Sequence, residues 1–206
     1  MRKSLFEGIA AGVYIGIGGA VFLASDNRWL GAVFFTVALL SICLTGMQLY
    51  TGKVGMIVNS HAKADFVSLF SCLLGNAAGT LLCAVFVWIG VPSLKENAAA
   101  LAEKKLAASA PYDPRVLFAG ILCGILMYTA VSVYKEKNTV IGILFCVPVF
   151  ILAGFEHSVA DMFYFFCAGN FTPSAFCFIL MVVLGNSLGG MLIPALSLLA
   201  NGKTAK

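Results

Sequence analysis

The sequence predicts an all-α polytopic membrane protein of six helices arranged as two inverted three-helix repeats, and three observations carry that reading. Of the 206 residues, 61% are hydrophobic and only 11% charged, with a mean hydropathy of +0.98, far above the balance of a soluble domain. The apolar residues gather in six stretches long enough for the hydrocarbon core, which takes about 20 helical residues. Three strings also recur in the same order. FEGIAAG at Phe6 to Gly12 matches FAGILCG at Phe118 to Gly124, LTGMQ at Leu44 to Gln48 matches LAGFE at Leu152 to Glu156, and LGNAAG at Leu74 to Gly79 matches LGNSLG at Leu184 to Gly189, with offsets of 112, 108 and 110. Three spans per half is an odd number, so the halves must enter the bilayer from opposite sides.

The first span, Leu5 to Ala24, follows Arg2 and Lys3 as a secretory signal would. Its glycine content, the lack of a convincing cleavage site and its counterpart in the second half predict that it is retained. The second, Leu30 to Val58, is too long for one straight helix, and its segment CLTGMQLYTGKVG (residues 43–55) puts Thr and Gly where an unbroken helix would carry Leu or Ala. Gly inside a helix costs roughly 1 kcal/mol relative to Ala, so the helix is expected to break there. The third span is Val67 to Val91. The connection from Pro92 to Pro114 reads as an alanine-rich helical hairpin with Glu and Lys at mutually supporting spacings. The fourth span is Arg115 to Tyr134, the fifth, Val140 to Ala168, is again overlong and breaks near Gly154, and the sixth is Ser174 to Leu199. The whole forms one transmembrane domain over 1–206, with repeat one at about 4–92, the linker at about 93–114 and repeat two at about 115–200.

Six crossings put both termini on one side. That face carries Arg2, Lys3, Lys53, Lys63, Lys135, Lys137, Lys203 and Lys206, whereas Arg28, Lys95, Lys104, Lys105 and Arg115 fall on the other. Short loops rich in Lys and Arg stay cytoplasmic, which places both termini in the cytoplasm and the chain in a plasma (inner) membrane, with the lipid bilayer as its first partner. A net charge of +4 spread over short loops, without an aromatic-interleaved basic patch, excludes nucleic-acid binding. The seven cysteines all lie inside spans with no CxxC pair, and read as small packing residues.

The informative chemistry sits in ILAGFEHSVADMF (residues 151–163), where Glu156, His157 and Asp161 interrupt an apolar stretch. Irregular backbone at membrane depth survives only when buried in protein or facing water, since each unpaired peptide group costs several kcal/mol in hydrocarbon. Gly46 and Gly154 mark the two breaks. Asn76 and Asn186, in the LGNxxG elements, are expected to hydrogen-bond the freed backbone, and the small residues around them to let helices approach closely. Glu156 is expected to accept hydrogen bonds from the exposed backbone and so fix the loop presenting His157. Intramembrane ionisable groups usually mark ion or proton pathways, which makes His157 the sharpest candidate. No metal site follows, because His61 is the only other histidine and lies in the loop after the second span. Ser158 cannot easily reach the adjacent His157, and no separate orienting acid is evident, so an intramembrane hydrolase lacks its catalytic set. The sequence calls for no cofactor.

At this point the residues carry a family resemblance. GFEHSVADMF resembles the GFEHSxANM signature of the formate/nitrite transporter family, LTGMQLYTG resembles its interrupted second helix, and GIAAGVYIGIGGA with the paired LGNxxG elements extends the likeness over all six spans. The resemblance implies an aquaporin-like protomer with its own pore for small monovalent anions such as formate, nitrite or hydrosulfide, assembled as a homopentamer. It implies that His157 is the central pore histidine and Thr51 the hydroxyl facing it. It further implies that Phe35 and Leu39 form one hydrophobic constriction, on the cytoplasmic side, and that Leu49, Tyr50, Phe150 and Met127 form the other. Tyr50 stands where many members have Phe. Gly124 replaces a pore-facing Asn, which would widen the outer vestibule, and Asp161 replaces the usual Asn after the histidine. The lysine that members carry ahead of the fourth span has no aligned equivalent, though Lys104 and Lys105 lie a few residues earlier. The cytoplasmic amphipathic helix that typically precedes the first span is not seen.

A bare carboxylate would be stopped by an apolar ring, since burying such a charge is idealised at about 20 kcal/mol. Protonation lifts most of that cost. Imidazole titrates near physiological pH, so His157 is expected to attract the anion and donate or relay a proton, with Thr51 orienting the substrate. Lys104 and Lys105 would raise the local anion concentration at the mouth. The alternative is a neutral-solute pore for water, ammonia or a small polyol on the same plan. A scaffold with an occluded midplane is argued against by the paired breaks.

Overall fold

A computed structural model of the chain describes residues 1–60, 62–108 and 113–201. His61, Lys203 and Lys206, used above to read topology and metal sites, lie outside the described residues. Nine α-helices are seen among those described: α1 (Arg2–Ala24), α2 (Arg28–Thr45), α3 (Tyr50–Lys53), α4 (Lys63–Gly90), α5 (Ser93–Ala108), α6 (Pro114–Lys137), α7 (Ile141–Ala153), α8 (Ser158–Ala168) and α9 (Pro173–Ala200), with a 3₁₀ segment Val54–Asn59 after α3. Helices α1, α2, α4, α6 and α9 are each long and apolar enough to cross a membrane, and α7 with α8 makes a sixth span bent by 56°.

Both overlong spans break at glycine. Helix α2 ends at Gly46 with φ +72°, and α7 ends at Gly154 with φ +77°. This left-handed conformation closes a helix end and is open to Gly at no steric cost. After its break the second span resumes as the single turn of α3 and the 3₁₀ segment. The connection to the second half is also simpler than expected: over Ser93–Ala108 it is one helix, not a hairpin.

Two of the three recurring string pairs lie at close helix crossings, and the third holds the two breaks. Helix α1 packs along α4 and α6 along α9, while α2 runs beside α7. Backbones meet at Gly8 and Gly12 against Gly75 and Gly79, and again at Gly120 and Gly124 against Gly185 and Gly189, where an added Cβ would collide with the opposing main chain or, at Gly120, press tightly on it. With no hydrophobic drive between helices in lipid, such close approach supplies the packing energy. The outward faces are apolar instead: Phe34, Phe70, Phe86, Phe118, Phe145 and Phe176 are all exposed, the surface of an integral membrane protein.

Gly124 therefore belongs to a crossing. A Cβ there would collide with the Asn186 carbonyl, so the residue is in contact with α9 instead of widening a vestibule. Gly124→Ala is expected to destabilise the protein by about 1–3 kcal/mol through overpacking, measured as a lowered midpoint of thermal unfolding in detergent.

Candidate functional site

Each break leaves the first turn of the following helix with unpaired N–H groups and the preceding loop with free carbonyls. One asparagine serves each. Asn76 of α4 accepts from the Tyr50 N–H (2.8 Å) and donates to the Gln48 and Gly8 carbonyls (3.0 and 2.9 Å). Asn186 of α9 accepts from the Ser158 N–H (2.8 Å) and donates to the Glu156 and Gly120 carbonyls (both 2.8 Å). Both amides are fully buried. Each third-span helix thus holds one broken span against the first helix of its own half.

Thr51 at the start of α3 and His157 at the cap of α8 meet at this junction. The Thr51 hydroxyl lies 2.9 Å from His157 Nε2, and His157 Nδ1 accepts from the Ala160 N–H at 3.1 Å. That capping bond occupies the Nδ1 lone pair, so the neutral ring carries its proton on Nε2 and donates it toward Thr51. Ser158 Oγ has no hydrogen-bond partner, and the nucleophile pair considered from sequence is not formed.

The couple is buried, with apolar side chains beside it. The Phe150 ring stacks on His157 with centroids 5.6 Å apart, and Phe35 meets Phe150 edge to face at 6.2 Å. Leu39, Leu49 and Met127 are buried in the same cluster. Phe35 and Phe150 thus stand together, a pairing that the assignment to separate constrictions missed. Tyr50 also departs from expectation. It packs with Val54, Leu69 and Cys72, and its hydroxyl lies 2.7 Å from Ser187 Oγ of α9, so it does not line the ring with Leu49.

Cavities lie on both sides. Toward the termini, about 250 Å³ is lined by residues including Leu49, Gly52, Lys53 and Lys135; Lys53 donates to Gln48 (2.5 Å) and Ser68 (2.8 Å). Toward α5, about 100 Å³ is lined by residues including Arg28, Phe150, His157 and Asp161, beside a wider cavity of about 500 Å³ lined by Arg28, Lys104, Lys105 and Arg115 among others. The cations Arg28, Lys53 and Lys135 were not singled out from sequence. Their signal was position, since Lys53 closely follows one break and Lys135 ends the fourth span.

The two vestibule lysines separate. Lys104 is exposed at the wider cavity. Lys105 turns inward, where its ammonium contacts the Glu156 carboxylate and lies 3.0 Å from Asp161 Oδ1. Burial alone would lower the Lys105 pKa, but the Asp161 and Glu156 charges outweigh it and raise the pKa above the ordinary lysine value, so the group stays cationic. The Glu156 side chain is consequently engaged by Lys105; only its main chain takes part in closing the break, as its N–H reaches the Ala119 carbonyl (3.4 Å) and its carbonyl accepts from Asn186. Lys105 and Glu156 are 51 residues apart, a pairing no local pattern announces.

The profile described as Formate/nitrite transporter matches residues 1–200 of the chain. The chain is 27% identical over 212 residues to the nitrite transporter NirC of Escherichia coli (strain K12), covering 90% of this chain and 78% of that protein. It is 30% identical over 192 residues to the uncharacterized transporter YrhG of Bacillus subtilis (strain 168), covering 84% and 71%. In three dimensions it resembles a pentameric formate channel with formate bound, with a TM-score of 0.81, 23% identity and coverage of 98% of this chain and 97% of that one. These matches are to transporters and channels, and none favours an enzyme or a neutral-solute pore. With its two glycine-ended breaks, paired amides and profile match over nearly its whole length, the chain belongs to the formate/nitrite transporter family.

Proposed function

We propose that the chain conducts small monovalent anions such as formate, nitrite or hydrosulfide through each protomer of a homopentamer in the plasma membrane, with both termini in the cytoplasm. The observation that carries this reading is the buried Thr51 to His157 couple, set among apolar side chains between cavities bordered by cations on both sides. Similarity to a nitrite transporter and to a formate channel supports the substrate class, and the pentameric state of that channel supports the pentamer.

The physical sequence is short. Cations at either mouth concentrate anions. An anion reaching the junction competes for the Nε2 proton that Thr51 otherwise accepts, gaining a directional hydrogen bond where water is scarce. Leu39, Leu49 and Met127, with Phe35 and Phe150, oppose any species that keeps its full charge. Proton donation by the imidazole requires that it first gain a second proton, and taking one at Nδ1 would break the bond to Ala160. His157 is therefore suited to orienting the anion, while a proton accompanying it can come from another group.

Uptake by proteoliposomes tests the reading. Formate, nitrite and hydrosulfide are expected to equilibrate faster than in protein-free vesicles, with flux rising as pH falls, while glycerol does not. Glycerol uptake without anion uptake would contradict it.

A further inference from the structure

Beside the junction lies a group of charges that the pathway just described does not use. Glu156, in the break, and Asp161, one turn into α8, both contact the single ammonium of Lys105. Asp161 is 1% exposed, and its second carboxyl oxygen, Oδ2, is buried without a hydrogen-bond partner. All three residues border the roughly 100 Å³ cavity that also contains His157, a space of about three water volumes.

Two ionised carboxylates on one ammonium would leave an uncompensated negative charge in this enclosure, and like charges so placed do not both ionise. One added proton makes the set neutral. It also gives the unpartnered Oδ2 a reason: an acceptor with no donor is costly, whereas a carboxylic acid presents an O–H to the cavity. Among the described residues, the other titratable groups near the pair do not form an ion pair with either carboxylate. Cys123 approaches from α6 and Tyr164 along α8, both neutral in ordinary conditions. Arg28 borders the same cavity and keeps its charge, but its guanidinium is held at the Ile151 and Leu152 carbonyls (3.0 and 3.4 Å) and, among the described residues, forms no ion pair with either carboxylate.

We propose that Glu156 and Asp161 share one exchangeable proton over Lys105 and deliver it to the anion held at His157, so that the acid pair and not the imidazole is the proton donor of this chain. The proposal rests on the anion pathway read above. In the step, the carboxyl O–H bond breaks and a new O–H forms on formate; the neutral acid leaves the junction, and the pair is left as two carboxylates on one ammonium. A proton entering from the outer solution through the wider cavity beside Lys104 and Arg115 then restores it, so that one proton leaves the outer solution for each acid that crosses. No electron changes hands. The proton belongs to the pair, so removing either carboxyl abolishes the shared site.

The experiment uses the full chain reconstituted in liposomes, as wild type, Asp161→Asn and Glu156→Gln. Infrared difference spectra at neutral pH read the carbonyl stretch of a protonated carboxylic acid and its shift in heavy water; internal acidification per formate imported reads proton coupling. The wild type is expected to show the acid band, each variant to lose it, and acidification per formate to fall by about tenfold or more. Absence of the band from the wild type, or equal acidification by Asp161→Asn and wild type, overturns the proposal. The two readings separate cleanly. A wild type that shows the band but moves no formate or nitrite overturns the anion pathway and with it the delivery step, whereas formate flux without the band overturns the acid pair alone. Unfolding midpoints in detergent identify any variant whose fold is lost, and its partner substitution then supplies the result.

Discussion

Asn186→Leu is expected to cost the protein several kcal/mol and to abolish transport. The amide serves Ser158 N–H and the Glu156 and Gly120 carbonyls. Gly120 lies within α6 and keeps its helical partner. The other two groups are at the break and would be left unpaired among apolar side chains, at about 1–3 kcal/mol each. The same change in the first half is expected to be milder. The Gln48 carbonyl also receives the Cys72 thiol at 3.2 Å, so Asn76→Leu orphans chiefly the Tyr50 N–H. Thermal unfolding in detergent should rank Asn186→Leu below Asn76→Leu and both below wild type. Equal midpoints for all three would show that the amides do not hold the breaks.

Lys105→Met is expected to be comparably damaging. Removing the cation leaves Glu156 and Asp161 facing one another without compensation, and breaking a buried pair in this way costs about 3–5 kcal/mol. The value here belongs at the lower end, since the Lys105 and Glu156 side chains keep 15% and 16% of their exposure. Adding Asp161→Asn to Lys105→Met should recover part of the loss, because one buried carboxyl is then removed. A double-mutant cycle on unfolding midpoints measures that recovery. Strictly additive effects would show that Lys105 and Asp161 do not interact.

These two sites show where sequence reading succeeds and where it stops. The breaks at Gly46 and Gly154 were legible because glycine disrupts an apolar helix at a fixed place in each repeat, and the asparagines because a polar amide in lipid must have partners. The destination of Lys105 was not legible. Its neighbours in sequence suggest a solvated helix, and only the fold brings α5 over the second break, where α5 packs against α8. Gly124 shows a different failure. The repeat already aligned it with Gly12, a position where α1 meets α4, but comparison with the family's usual Asn drew attention toward the pore. Phe35 and Phe150 come from different halves, so nothing local could show that their rings touch. Tyr50 was assigned to a constriction by the family resemblance, which could not show that its hydroxyl meets Ser187 on another helix.

The central claim is that His157 meets a passing anion through its Nε2 proton. Formate uptake by proteoliposomes of His157→Asn, compared with wild type, tests it most directly. Asparagine is a good helix cap and can accept the Ala160 N–H through its side-chain oxygen, so the fold should survive. The donor lost is a hydrogen bond to a charged group, worth about 1.5–3 kcal/mol, and formate flux is expected to fall by about 10- to 100-fold with the unfolding midpoint nearly unchanged. Wild-type flux with wild-type pH dependence in that variant would contradict the account.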